Sequence, residues 1–169
     1  MTDAGPLRLG VTGHRQFDDV PTATAMIDHV LDRLLAGERE AIVVSNLAEG
    51  ADRLVTTLVV DGRGGHLEAV LPLPPDDYAS DFTSAESRLE FEHWLEIAAA
   101  IEVVEQRGDD SREAAYERAG VVMVDRVDVL IAVWDGQPSR GRGGTADIIR
   151  YALDREVVVE VVLVERTTE

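Results

Sequence analysis

The segment "GRGGTADIIRYA" at residues 141–152 places three glycines and a threonine directly before apolar residues with helical spacing. Glycines leave backbone amides uncovered, and the N-terminus of a helix carries unpaired N–H groups and the positive end of the helix dipole. We therefore predict that the amides of Gly143, Gly144 and Thr145 bind a phosphate group. The pattern leaves one alternative open, in which Thr145 only caps the helix and the glycines only form a turn.

Two further segments place glycine and polar residues where a strand ends, namely "GVTGHR" at residues 10–15 and "SNLAEGADRL" at residues 45–54. The first has the spacing G-x-x-G and not the dinucleotide-binding G-x-G-x-x-G, and the second strand does not end in an acidic residue, so an NAD-dependent dehydrogenase is disfavoured. Asp52 is interpreted as a structural acid in the first turn of a helix. The candidate ligand-binding residues in these two segments are Gly10, Thr12, Gly13, His14, Arg15, Ser45, Glu49 and Gly50.

Three carboxylates are candidates for catalysis, namely Glu49, Asp135 and Asp147. Each follows a predicted strand or begins a predicted helix, where it could stabilise positive charge developing at a glycosidic carbon. Asp135 is also a predicted ligand-binding residue, and its alternative role is that of an Asp-Gly turn. The four histidines show no paired spacing, so no metal site is predicted, although an oxygen-only magnesium site stays open.

The chain contains neither cysteine nor lysine, and all 16 of its basic residues are arginine. Disulfides, thiol nucleophiles, a P-loop lysine and Schiff-base chemistry are therefore excluded. An anionic ligand must be bound by arginine side chains, backbone amides or helix N-termini. Arg140 and Arg142, just upstream of the glycine-rich segment, are expected to add positive charge there.

The formal net charge is −17 over 169 residues. Carboxylates spread over most of the surface repel phosphate backbones and anionic lipids, so we expect neither a nucleic-acid partner nor a membrane partner. The sequence shows neither an apolar run long enough to span a bilayer nor the pattern of a signal peptide. These features predict a cytoplasmic protein.

Short apolar runs alternate with segments of helical spacing along the chain, and 45% of the residues are hydrophobic. This pattern predicts an α/β fold, a Rossmann-like open and mostly parallel sheet of about six strands with helices on both faces, in a single domain over residues 1–169. The proline-rich and acidic stretch at residues 74–84 is predicted to be a mobile flap. The predicted strands cover residues 7–12, 40–46, 66–73, 101–106, 128–135 and 156–164, and the predicted helices cover 21–36, 50–61, 85–99, 112–127 and a segment from 145 onward.

The order of three segments resembles the SLOG superfamily, the Rossmann-like nucleotide-binding proteins that include the lonely-guy phosphoribohydrolases and the SMF/DprA group. These segments are "GVTGHR", "SNLAEGADRL" and the stretch from Tyr116 to Ala152. The resemblance implies a nucleotide or nucleotide-derived ligand between the first-strand loop and the glycine-rich loop, with Gly143, Gly144 and Thr145 at the phosphate. It also implies a homodimer.

One departure from the lonely-guy pattern bears on activity. Those hydrolases place a catalytic glutamate three residues after the threonine of the glycine-rich motif, whereas this chain has Ile148 there, and Arg118 is displaced by one residue from the family's spacing. The leading hypothesis is therefore a nucleotide-binding protein, acting as a sensor, with no cofactor beyond that ligand. The alternatives are an enzyme that acts at the N-glycosidic bond of a nucleotide and an oligomeric scaffold with a vestigial pocket.

Overall fold

A computed structural model describes residues 5–37 and 39–167 of the chain. Six strands and six helices occur in these residues, and their order is the predicted one except for one additional short helix before the predicted helix at residues 85–99. The strands are β1 (Leu7–Gly13), β2 (Ala41–Ser45), β3 (His66–Leu71), β4 (Ala100–Val103), β5 (Val129–Trp134) and β6 (Val158–Leu163). The helices are α1 (Val20–Leu34), α2 (Ala51–Arg63), α3 (Pro75–Ala79), α4 (Ala85–Ile97), α5 (Arg112–Val124) and α6 (Thr145–Asp154).

The strands form one sheet with the order β4-β3-β2-β1-β5-β6, and every pairing between neighbours is parallel. From β1 the chain proceeds through β2 and β3 to β4 on one side, and from β5 it proceeds to β6 on the other. The strand order therefore reverses between β1 and β5, which pair from Leu9 with Val129 to Gly13 with Val133. In open α/β sheets, ligands bind at the carboxyl ends of the strands near this reversal.

Helices cover both faces of the sheet, which confirms the predicted Rossmann-like architecture. On one face, α1 and α2 bury Ile27 and Val55 against Leu9, while on the other face α5 and α6 bury Met123 against Leu130. The central strands are apolar on both faces because both faces are covered. No helix among the described residues has the length and apolarity that a membrane crossing requires.

The segment at residues 74–84 packs against the protein, and the prediction of a mobile flap is wrong. Its residues Pro75–Ala79 form α3, and the side chains of Tyr78 and Phe82 are buried. The two rings contact each other edge to face at 5.0 Å between centroids, and both contact Phe91 of α4, at 5.5 and 5.1 Å. Proline and acidic residues predict a loop, but these three aromatic rings bury enough apolar surface to anchor the segment.

Candidate functional site

A cleft of about 870 Å³ lies at the carboxyl ends of β1, β2 and β5, beside the reversal of strand order. Its walls come from the loops after these strands, from the first turn of α6 and from parts of α2, α3 and α5. The cleft thus lies where the fold predicts a ligand site. The predicted ligand-binding residues that line it are Thr12, Gly13, His14, Arg15, Glu49, Gly143, Gly144 and Thr145.

The first turn of α6 faces this cleft and leaves backbone N–H groups without acceptors. Gly144 is the N-cap and Thr145 is the first helical residue. The observed cap therefore lies one residue before Thr145, which was the predicted cap. Among the described residues, the amides of Gly144, Thr145 and Ala146 donate no hydrogen bond, whereas the amide of Gly143 donates to Asp147 Oδ2 at 3.2 Å. Two of the three predicted phosphate-binding amides, those of Gly144 and Thr145, therefore remain free for a ligand.

The glycine-rich loop also has a purely structural need for its glycines. Gly143 has a φ of +76°, and a Cβ there would lie 3.0 Å from the backbone of Glu117. A Cβ at Gly144 would lie 2.7 Å from Ser139 Oγ, which accepts a hydrogen bond from the amide of Asp147. A side chain at Gly144 would thus displace Ser139 before it reached the cleft. The glycine density follows from close packing of this loop as well as from any ligand.

Arginines without a carboxylate partner are concentrated at the cleft, although Arg39 and Arg88 outside it also lack one among the described residues and donate to backbone carbonyls instead. Within the described ranges, three arginines that line the cleft, Arg15, Arg140 and Arg166, form no ion pair with a carboxylate. Arg142 also lines the cleft, but its guanidinium donates two hydrogen bonds to Glu117. This pairing neutralises the charge that was predicted to act on a phosphate. The arginines that pair with carboxylates are Arg8, Arg33, Arg53, Arg63, Arg107, Arg112, Arg118, Arg126, Arg142, Arg150 and Arg155.

Arg15 projects from the loop after β1 and stacks on an aromatic ring. Its guanidinium carbon lies 5.8 Å from the centroid of the Tyr116 ring, and both residues line the cleft. A planar guanidinium over an aromatic face keeps its N–H groups pointing outward for bidentate contacts with an oxyanion. The same ring presents an apolar surface of the kind on which a nucleobase stacks.

His14 and Asp135 form a pair at the ends of β1 and β5. The backbone N–H of Asp135 donates to His14 Nε2 at 3.2 Å, and Asp135 Oδ1 lies 3.2 Å from the same nitrogen. The two contacts belong to different protonation states of the ring, because Nε2 accepts from the amide only without a proton and donates to Oδ1 only with one. Burial raises the pKa of Asp135, but hydrogen bonds from the Gln137 backbone and from His14 outweigh it, so the pKa lies below its usual range.

Asp52 is a functional candidate that the sequence interpretation assigned to structure alone. The residue lines the cleft, only 5% of it is exposed, and its Oδ2 accepts a hydrogen bond from the amide of Ala48 at 3.2 Å. Burial raises the pKa of Asp52 to about 7, while the Ala48 amide and the charges of Arg15 and Arg53 lower it in part. Carboxyls with a pKa near neutrality inside a cleft are concentrated at functional sites.

Two predicted residues, Gly10 and Ser45, lie away from the cleft because they pack within the sheet. A Cβ at Gly10 would lie 2.5 Å from Met123 Sδ, so this glycine allows α5 to approach β1. Ser45 is fully buried, and its hydroxyl accepts a hydrogen bond from the amide of Leu47. The prediction that both contact a ligand is corrected here to a packing role.

Gly50 and the carboxylates Asp135 and Asp147 also do not line the cleft. Gly50 has a φ of +82°, and a Cβ there would lie 2.3 Å from the carbonyl oxygen of Arg15, so it allows the first two loops to meet. Asp135 is engaged with His14, and Asp147 accepts the amide of Gly143. Neither carboxylate is placed to act on a ligand.

Glu49, the third catalytic candidate, lines the cleft but is also engaged. Its Oε1 accepts a hydrogen bond from the hydroxyl of Ser87 on α4. Asn46, Tyr78 and Tyr116 line the cleft without having been predicted from the sequence. Tyr78 donates its hydroxyl to the carbonyl of Asn46 at 2.9 Å, and burial raises the pKa of Tyr78 above its usual value. Their only sequence signal is polarity near a strand end or aromatic character, which many residues share.

No group of three or more histidine, aspartate or glutamate side chains within the described residues could hold a metal ion. The site is therefore defined by a helix N-terminus, arginine side chains, aromatic rings and one buried carboxylate. These features belong to the class of Rossmann-like α/β proteins with a cleft at the reversal of strand order.

Comparison with solved structures supports this class at the level of the fold. DNA processing protein A from Helicobacter pylori matches with a TM-score of 0.64 and 17% sequence identity, over 93% of this chain. The present chain spans 65% of the length of that protein. At this level of identity the match shows a shared fold.

Two structures of the molybdenum cofactor carrier protein from Chlamydomonas reinhardtii match with TM-scores of 0.48 and 0.47 and identities of 16% and 15%. They cover 92% and 94% of this chain, and 76% and 77% of the carrier protein. No protein-family model and no curated protein matches the chain.

The expectation that net charge excludes a nucleic-acid partner is wrong. DNA processing protein A, which shares this fold, binds single-stranded DNA. Net charge is summed over the whole surface, whereas binding depends on the local field in a cleft. Here Arg15, Arg140 and Arg166 line one cleft without carboxylate partners among the described residues, so a net charge of −17 does not describe the potential at that place.

Proposed function

We propose that the chain binds a nucleotide or a nucleotide-derived small molecule in the cleft, with the phosphate at the first turn of α6. The observation that carries this proposal is that three arginines without carboxylate partners among the described residues line the same cleft as that turn. Among the described residues, three of the four arginines that line the cleft lack a carboxylate partner, whereas only two of the twelve arginines elsewhere lack one. Arginine forks and helix N-terminal amides both favour phosphate oxygens.

The remaining walls of the cleft suit the other parts of a nucleotide. The ring of Tyr116 offers a stacking surface for a base, and the carboxylates of Glu49 and Asp52 offer acceptors for hydroxyl or amino groups. Its volume of about 870 Å³ falls within the range of small-molecule sites, which is about 300–1,000 Å³. These dimensions support a ligand of the size of a mononucleotide or dinucleotide.

Binding without N-glycosidic cleavage is the function that the side chains favour. Asp135 and Asp147 do not line the cleft and are engaged by His14 and by the amide of Gly143, and Glu49 is engaged by Ser87. Ile148, at the position of the lonely-guy glutamate, lines the cleft and supplies no acid or base. A sensor or carrier of a nucleotide therefore ranks ahead of the phosphoribohydrolase-like alternative.

A second candidate ligand is a single-stranded oligonucleotide. It is favoured by the fold match to DNA processing protein A, whose description concerns single-stranded DNA binding. Phosphodiester groups accept the same hydrogen bonds from arginines and amides as a terminal phosphate does. The small-molecule proposal ranks first because the volume of the cleft, about 870 Å³, falls within the range of small-molecule sites.

The test compares ligands by thermal stabilisation and calorimetry. We expect AMP or NAD to raise the melting temperature, and inorganic phosphate and an oligothymidylate of twelve nucleotides to raise it less than AMP does. Chromatography of the same mixtures detects free base, which a binder does not release. Preferential stabilisation by the oligonucleotide would favour the second candidate, and release of base would favour the enzyme.

Arg140→Gln tests the phosphate site directly, with Arg107→Gln as the matched control. Both changes remove one exposed arginine charge, but Arg107 does not line the cleft. We expect Arg140→Gln to weaken AMP binding about tenfold, the value of one charge-assisted hydrogen bond, and Arg107→Gln to leave it unchanged. Equal affinities for both variants would contradict the proposed position of the phosphate.

The homodimer and the single-domain organisation remain proposals, which light scattering and limited proteolysis would test.

A further inference from the structure

Asp52 has one oxygen engaged and one available. Its Oδ2 accepts the amide of Ala48, while no described residue donates a hydrogen bond to Oδ1. Only 5% of the residue is exposed, yet it lines the cleft. Because the residue lines the cleft and Oδ1 has no donor in the described part of the protein, this oxygen is available to accept a hydrogen bond from a ligand.

The charged and titratable groups around Asp52 come from three elements, and their donors are directed elsewhere. Arg15 of the loop after β1 stacks on Tyr116, and Arg53 of α2 donates to the carbonyl of Leu47 and to Ser87. The hydroxyl of Tyr78 on α3 donates to the carbonyl of Asn46. None of these groups forms a hydrogen bond or ion pair with Asp52 in the described part of the chain, although the two arginines attract its charge.

We propose that Asp52 determines ligand specificity by accepting hydrogen bonds, as an ionised carboxylate, from hydroxyl or amino groups of the nucleotide. This inference rests on the proposed nucleotide site. It names the part of the ligand that lies away from the phosphate, since a carboxylate repels phosphate oxygens but attracts the N–H and O–H donors of a base or ribose.

The proton balance follows from the burial of Asp52. Burial raises its pKa to about 7, so about half of the ligand-free molecules carry the proton at that pH. Donors on a ligand stabilise the ionised form and return the pKa toward its ordinary value. If it returns fully, the Asp52 contribution weakens binding about 30-fold between pH 8 and pH 5.5, because the free protein must lose a proton before it binds.

The experiment measures AMP binding at pH 5.5 and pH 8 to the wild type, to Asp52→Asn and to the control Asp61→Asn. Asparagine keeps an oxygen that accepts from the Ala48 amide, and Asp61 is an exposed acid on the same helix. We expect the wild type and the control to lose about 30-fold more affinity at low pH than Asp52→Asn loses. Ionisation of the AMP phosphate is common to all three proteins and cancels in the comparison.

Inorganic phosphate is the second probe and separates this inference from the proposed function. We expect Asp52→Asn to bind phosphate at least as tightly as the wild type does. Parallel AMP profiles in the wild type and the variant, with phosphate still bound, would overturn the role of Asp52 and leave the phosphate site standing. If the wild type bound neither AMP nor phosphate, the proposed function and this inference would both be overturned.

The titration of Asp52 is also measurable without a ligand. Carbon-13 NMR of the side-chain carboxyls, assigned by comparison with Asp52→Asn, should show one aspartate that titrates near pH 7. If the Asp52 signal instead titrated near pH 4, ligand binding near neutral pH would release no proton from Asp52, and the expected pH dependence would be contradicted.

Discussion

Replacing Asp52 with asparagine should stabilise the ligand-free protein, and more so as the pH rises. The substitution removes an ionisable group whose residue is only 5% exposed and leaves its shape nearly unchanged. An asparagine oxygen can still accept the hydrogen bond that Oδ2 receives from the Ala48 amide, so the contact that shapes the loop is kept. The difference between the two proteins is then the free energy of ionising a buried carboxyl.

The magnitude follows from the difference in pKa between the folded and the unfolded chain. An aspartate carboxyl in an unfolded chain has a pKa of 3.8, and burial raises the pKa of Asp52 to about 7 in the folded protein. Between these values the folded protein binds more protons than the unfolded chain, so the free energy of unfolding decreases as the pH rises. Integration from pH 5 to pH 8 gives a loss of about 2.5 kcal/mol for the wild type, which Asp52→Asn does not share.

Urea unfolding at pH 5, 6.5 and 8 measures this effect, with Asp61→Asn as the control. We expect the stability advantage of Asp52→Asn over the wild type to increase by about 2.5 kcal/mol across this range. The control should follow the wild type, since Asp61 is exposed in the folded protein. Parallel stability curves for Asp52→Asn and the wild type would refute the reasoning, because they would mean that the carboxyl ionises equally easily in both states.

Three further substitutions test the packing around the cleft. Gly13→Ala should destabilise the protein by about 1–3 kcal/mol in urea unfolding, because its Cβ would lie 2.5 Å from the Cβ of Ala51; an unchanged midpoint would contradict this packing. Tyr78→Phe should cost about 1–2 kcal/mol by the same assay, because the buried carbonyl of Asn46 loses its donor, and no cost would place another donor there. Phe82→Ala should cost about 3–5 kcal/mol and increase proteolysis at residues 74–84, whereas a loss under 1 kcal/mol would restore the mobile flap.

The strands and helices could be predicted because each leaves a local periodic signal. The apolar run of β5 and the helical spacing of α1 identify elements whose positions differ by one or two residues from the predicted ones. The segment at residues 74–84 could not be predicted in this way. Its short helix depends on Tyr78 and Phe82 meeting Phe91, a contact with a residue on another helix that no local pattern encodes.

The candidate site was only partly predictable for the same reason. Loops at strand ends were identified from glycine and polar residues, and they do meet at one cleft. The pairing of Arg142 with Glu117, which leaves Arg140 without a carboxylate partner among the described residues, could not be predicted, because both arginines stand in one short segment and look alike. The partner that distinguishes them lies on α5.

By itself, the sequence determined the class of fold, the order of its elements and the chemistry available to it, since it contains no thiol and no lysine and carries all its positive side-chain charge as arginine. These properties depend on local pattern and composition. Only the tertiary structure decided which groups are free to act. In the folded protein, Asp135 and Asp147 are engaged by neighbouring groups. Arg15 and Arg140 line the cleft without a carboxylate partner among the described residues, and Asp52 is buried beside it. Burial and pairing of this kind depend on neighbours that are distant in the chain.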